Sequence, residues 1–159
     1  MIVRPYRAED AEGLSALYLR SVSALGARDY DAEQVRAWAS LAPSPERFAE
    51  TAADGRLRLV AADAHGRPLA FADLTGDGFI DFLYRDPDAP PGAAGAVYEA
   101  LERAARDRRV EALGVHASEA ARRFFLKRGF QVCARRDFEV AGVPIHNYAM
   151  EKRLGDEGL

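Results

Sequence analysis

From Phe79 to Arg106 the chain reads FIDFLYRDPDAPPGAAGAVYEALERAAR. An apolar strand runs through a Pro/Gly/Ala turn into a strong helix. That order points to a sheet with helices laid on it rather than to a bundle or a sandwich of sheets. A helix that begins at the end of a strand also presents free backbone N–H groups and the positive end of its dipole, which suits a phosphate. Pro91 fits the entry to such a helix, where its fixed φ costs little, but it has no N–H to give.

The rest of the chain supplies the neighbours. Ile2 to Tyr6 reads as a short strand. Ala8-Glu9-Asp10 opens a helix that runs to about Leu25, with Leu14, Leu17, Tyr18 and Val22 at helical spacing and Gly26 as its stop. Asp31 caps a second helix, DAEQVRAWAS, with Gln34 at the capping-box position. Ser44-Pro45-Glu46 starts a third, ending near Asp54-Gly55. The period then changes to two. Arg56–Asp63 and Pro68–Leu74 are strands around a His65-Gly66-Arg67 turn, and Thr75-Gly76-Asp77-Gly78 turns the chain into a third strand, Phe79–Tyr84. The next helix spans about Gly92 to Arg108, and Val110–Ala117 is a strand. Ser118-Glu119 caps a helix that stops at Gly129. Gln131–Val140 and Val143–Lys152 form a last hairpin around Ala141-Gly142. The order β-α-α-α-β-β-β-α-β-α-β-β is an α+β chain with a mixed sheet. Residues 1–154 are expected to form a single domain, with a frayed tail at 155–159.

With 159 residues, 48% hydrophobic and 30% charged, the chain has the size and balance of one ordinary globular domain. Its formal net charge of −3 gives no basic footprint for nucleic acid. No run of about 18 apolar residues appears, and no signal peptide, so a cytoplasmic protein without membrane contact is expected. Cys133 is the only cysteine, which excludes an intrachain disulfide and a cysteine metal cluster. It is expected as a small core hydrophobe. No His/Asp/Glu spacing suggests a metal.

The element order, with IDFLYRDPD before the turn and SEAARRFFLKRGF after the next strand, resembles the GNAT superfamily of acyl-CoA-dependent N-acetyltransferases over almost the whole chain. The resemblance implies the GNAT fold, a mixed central sheet of about six to seven strands flanked by helices, and acetyl-CoA as acetyl donor. The family's turn motif is Gln/Arg-x-x-Gly-x-Gly/Ala. Pro90-Pro91-Gly92-Ala93-Ala94-Gly95 takes its place, and only the last glycine matches. Pro90 stands where a polar residue is expected and Ala93 where a glycine is. The resemblance puts the cofactor's pyrophosphate on main-chain groups from Gly92 through Ala93, Ala94 and Gly95 to Ala96. It puts the pantetheine arm along Leu83, Tyr84 and Arg85, where the strand parts from its neighbour. Ser118 falls near the cofactor, and Phe125 takes the place of a tyrosine that in many members protonates the departing thiolate. Arg123 and Lys127, at i,i+4 on one helix, face the 3′-phosphate or form a solvated basic face. The first two helices border the acceptor pocket in this fold, so Tyr30 and Trp38 are expected either to hold substrate or to belong to the core. Arg28 and Asp29 lie in the loop between those helices.

Direct attack on a thioester needs a neutral amine and a group to take its proton. Asp81 is the first candidate, an acid whose strand face also carries Phe79 and Leu83. Asp73 is the second. If the hairpin pairs residue 73 with 81 the two carboxylates face each other; a slip by one puts them on opposite faces. His116, at the end of the fifth strand, is the third. The acceptor is expected to be a primary amine of a small molecule or peptide, and the last hairpin offers an edge for a homodimer. The competing reading is a non-catalytic GNAT-fold binding module with a weakened acetyl-CoA site, suggested by the eroded turn and the phenylalanine at 125.

Overall fold

The computed structural model describes residues 1–155 of the 159. Strand β1 (Ile2–Pro5) leads through a 3₁₀ turn into α1 (Ala11–Leu25). A second 3₁₀ turn, Gly26–Arg28, precedes α2 (Ala32–Ala39) and α3 (Pro45–Ala52). The meander β2 (Leu57–Ala62), β3 (Pro68–Leu74) and β4 (Phe79–Arg85) follows. The chain ends with α4 (Ala93–Asp107), β5 (Ala112–Ala117), α5 (Glu119–Leu126), β6 (Gln131–Val140) and β7 (Val143–Arg153). The expected frayed tail lies, apart from Gly155, outside the described residues.

The seven strands form one sheet in the order β1-β2-β3-β4-β5-β7-β6. Every neighbouring pair is antiparallel except β4 with β5. Helix α4 places Ala93, Val97, Leu101 and Ala105 at intervals of four, and Tyr98 beside them, all buried on one side. That stripe and Phe125 of α5 pack on Ala72, Leu74, Ile80, Leu113 and Val115. The other face of β2–β4 carries Val60 and Phe71, with Phe82 and Tyr84 beside them, and is covered by Leu14 and Leu17 of α1 and Phe48 of α3.

The helix starts are written locally. Asp31 accepts from Gln34 N, and the Gln34 side chain returns a bond to Asp31 N. Ser44 and Ser118 cap α3 and α5 through their hydroxyls. Asp86, which ends β4, is less visible in sequence. Its buried carboxylate takes Asp88 N at 2.9 Å, Arg67 at 3.1 Å and the guanidinium of Arg20. It thereby pins the turn before α4 to α1 and to the β2–β3 turn. Burial works against its charge, but these donors hold its carboxyl below the usual range. Cys133 is exposed on edge strand β6 and is not in the core, contrary to expectation. The β6–β7 register shifts between Val132 and Ala134, and all of Gln131–Arg135 lies exposed along this edge strand.

Candidate active site

Strands β4 and β5 are joined by only two residue pairs, Phe79–Gly114 and Ile80–Val115. Beyond them the strands part. Leu83, Tyr84 and Arg85 stay paired to β3, but their edge toward β5 has no ladder partner. Gly78 sets the base of this opening. Its φ is +90°, and a Cβ there would lie 2.5 Å from the Ala112 carbonyl oxygen. Only glycine lets β5 approach this closely.

The opening continues into a partly open cleft of about 140 Å³. Leu83, Tyr84 and Arg85 line one wall, and Ala94 of α4 with Ser118, Ala121 and Phe124 of α5 line another. Val22 and Leu25 of α1, with Tyr30, Val35 and Trp38, close it from the side of the first two helices. Burial pushes the hydroxyls of Tyr30 and Tyr84 up to about 12, so both keep their protons at neutral pH.

The start of α4 abuts this cleft. Gly92, at φ +93°, is its N-cap in the left-handed region, so the glycine that the turn requires stands one position before the expected one. Ala93 has its amide on Pro90 O at 3.4 Å, and Ala96 on Gly92 O at 2.9 Å. The N–H groups of Ala94 and Gly95 have no main-chain acceptor among the described residues.

Five of the expected cofactor residues line the cleft: Leu83, Tyr84, Arg85, Ala94 and Ser118; both expected substrate residues, Tyr30 and Trp38, do as well. Phe125 does not. It is fully buried against Tyr98 and Phe130, and its neighbour Phe124 faces the cleft. Spacing alone does not separate the two rings, because 124 and 125 stand at i+3 and i+4 from Ala121 and both share its face. Arg123 is engaged by Asp29 through two bonds, 3.1 and 2.8 Å, which tie α5 to the loop after α1. Lys127 is exposed beyond the last turn of α5.

The three proton-acceptor candidates separate. In the β3–β4 pairing Ala72 faces Leu83 and Leu74 faces Ile80, so two residues, Asp81 and Phe82, stand against the single Asp73. This bulge brings both carboxylates to one guanidinium: Arg56 donates to Asp73 at 3.1 Å and to Asp81 at 2.7 Å. Asp81 is 39% exposed and ion-paired, not an acid among apolar neighbours. Asp73 is fully buried, with Arg58 on both its oxygens at 2.9–3.0 Å. Burial pushes its carboxyl up against the pull of Arg58 and Arg56. No acceptor can reach it, which corrects its reading as a base. His116 follows the last β4–β5 pair, is exposed, and sets its ring edge-on to Phe79 at 4.9 Å. Partial desolvation of a ring still largely open to solvent, with the charge of Arg136, holds its imidazole below the usual histidine value.

Residues 26–152 match the model of the acetyltransferase (GNAT) domain family. The chain belongs to the GNAT acetyltransferase family. It is 28% identical over 149 residues to the uncharacterized N-acetyltransferase YafP of Escherichia coli K12, covering 93% of each. A GCN5-related N-acetyltransferase from Rhodopseudomonas palustris superposes with a TM-score of 0.86 at 38% identity, over 96% of this chain and 95% of that one. The PaiA N-acetyltransferase of Thermoplasma acidophilum, solved with coenzyme A, shares the fold at a TM-score of 0.72 and 19% identity, covering 96% and 98%. As a GNAT-type N-acetyltransferase the chain is an acyltransferase. No helix among the described residues is long and apolar enough to cross a membrane.

The residues present fit an acyl-CoA donor. An arm that needs main-chain partners would find them on the unpaired edge of β4, and a diphosphate would find donors in the free amides of Ala94 and Gly95.

Proposed function

We propose that this GNAT enzyme moves an acetyl group from acetyl-CoA to a primary amine of a small molecule or peptide by direct attack. The parting of β4 from β5, beside the free N–H groups at the start of α4, carries this reading. Acetyl-CoA, when bound, supplies the thioester whose carbonyl carbon the amine nitrogen attacks. The exposed edge at Leu83–Arg85 offers the hydrogen bonds that align an extended arm. Ala94 and Gly95 offer amides, and Arg85 a guanidinium, to the phosphate end. Val22, Leu25, Trp38 and Phe124 exclude water from the cleft, which strengthens every polar contact inside it.

His116 takes the proton that the amine loses. Asp81 is the weaker candidate because its carboxylate is committed to Arg56, whereas a depressed imidazole is neutral at pH 7 and ready to accept. Neither Phe124 nor Phe125 can donate to the departing sulfur, and a coenzyme A thiol leaves without such help. Tyr30 and Trp38, whose rings lie 5.1 Å apart, form the aromatic wall for the acceptor.

Isothermal titration of the full chain with acetyl-CoA tests the reading, followed by thiol release over a panel of primary amines. Saturable binding and amine-dependent release are expected. No heat at millimolar acetyl-CoA would remove it.

A further inference from the structure

We propose that Arg128, reaching across from the end of α5, is the cation that grips the donor's diphosphate, in place of the polar side chain missing from the turn before α4. This rests on the acetyl-CoA reading given above.

Three observations place it. The Arg128 guanidinium stacks on the ring of Phe124, 3.7 Å from its centroid, and Phe124 lines the cleft. Its Nη2 occupies the space beside Gly95: a Cβ at 95 would lie 2.8 Å from it. Gly95 is not in the left-handed region, so the backbone does not demand glycine there; the room it leaves is filled by this guanidinium. Gly95 also carries one of the two unpaired amides at the start of α4. Cation and free donors therefore meet at one residue.

The guanidinium also has capacity to spare. Its one hydrogen-bond acceptor in the protein, among the described residues, is Phe124 O at 3.3 Å, and none of its nitrogens is buried without a partner. The unused N–H groups thus reach the surface. The neighbouring arginines of α5 are committed: Arg123 to Asp29, and Arg122 to Glu119 at 3.0 Å while lying over the Tyr148 ring. A planar fork held by stacking loses little freedom when it closes on phosphate oxygens, and suits a diphosphate better than a point charge does.

The test is calorimetric. Wild type, Arg128→Gln, Arg128→Lys and the control Arg103→Gln, at an exposed arginine of α4, are titrated with coenzyme A, with dephospho-coenzyme A, which lacks the 3′-phosphate, and with pantetheine, which lacks phosphate. Melting temperatures are measured alongside. Arg128→Gln is expected to raise Kd about 10- to 100-fold for both nucleotides alike, and to leave pantetheine unaffected. Arg128→Lys, which keeps the charge without the fork, recovers part of the loss, and Arg103→Gln changes nothing. Equal affinity in wild type and Arg128→Gln overturns the proposal. A loss confined to coenzyme A also overturns it, by moving Arg128 to the 3′-phosphate. If Arg128→Gln melts too low to titrate, the Arg128→Lys comparison decides alone: no loss of affinity overturns the fork. A wild type that binds neither nucleotide sinks the acetyl-CoA reading itself, and this inference with it.

Discussion

Arg56 determines what the carboxylates of β3 and β4 can do. One guanidinium holds Asp54, Asp73 and Asp81, and a second, Arg58, fills the remaining side of Asp73. Both acids are consumed by structure, which leaves His116 as the free titrating group beside the opening. Its imidazole faces Phe79 and feels the charge of Arg136, whose own guanidinium is bound to Asn147 Oδ1 at 2.9 Å. Because the folded value is depressed, the neutral form persists through pH 7 and is lost only as pH falls through a midpoint below about 6.5. Turnover, once divided by the neutral fraction of the amine, should therefore be flat from pH 7 to 8 and decline on the acid side. His116→Gln should remove that acid limb and lower kcat by about 100-fold or more. A pH–rate profile of the two proteins checks it, and an unchanged limb would reassign the proton. None of this was readable from FIDFLY alone. The bulge that sets Asp81 and Phe82 against one residue arises only when β3 and β4 pair, and until then the strand has two registers with opposite faces.

At the scale of elements, legibility was high wherever a local signal exists. The Asp31–Gln34 capping box, the serine caps of α3 and α5, and the Gly78 turn lie where the sequence puts them. What could not be read are the ties between elements. The loop after α1 is fastened across the cleft twice. Arg123 holds Asp29, and the Tyr30 hydroxyl accepts from Glu119 N at 3.0 Å while donating to His146 O at 3.1 Å. Glu119 is itself held by His146 at 2.7 Å and Tyr148 at 2.9 Å, so the anchor point is rigid. Tyr30→Phe keeps the ring but deletes both bonds, at a cost of about 1–2 kcal/mol. Amide exchange in residues 26–31 should quicken while the core of α4 stays protected. Exchange rates that rise equally in both would mean that the hydroxyl serves the whole fold rather than this loop. The same limit explains Arg128: its sequence context is an ordinary helix end, and its position beside Gly95 follows only from the packing of α5 against α4.

For the whole molecule, the cofactor opening has a mechanical counterpart. The sheet is two plates, β1–β4 and β5–β7-β6, riveted by two residue pairs and spanned by α4, whose stripe packs on both. The chain crosses from one plate to the other once, through the turn after Asp86, where Asp88, Pro90, Pro91 and Gly92 are exposed. A cut in this turn severs no strand pairing and no helix. Coexpressed fragments 1–88 and 89–159 should therefore find each other, each apolar face being the other's missing partner. A copurified pair with the circular dichroism of the intact chain is the expected outcome, and fragments that stay apart would show that the short tether supplies what the two rivets do not. With that outcome, the gap proposed to admit an acyl donor also makes the enzyme divisible, a frame for a split reporter whose halves reassemble around a ligand.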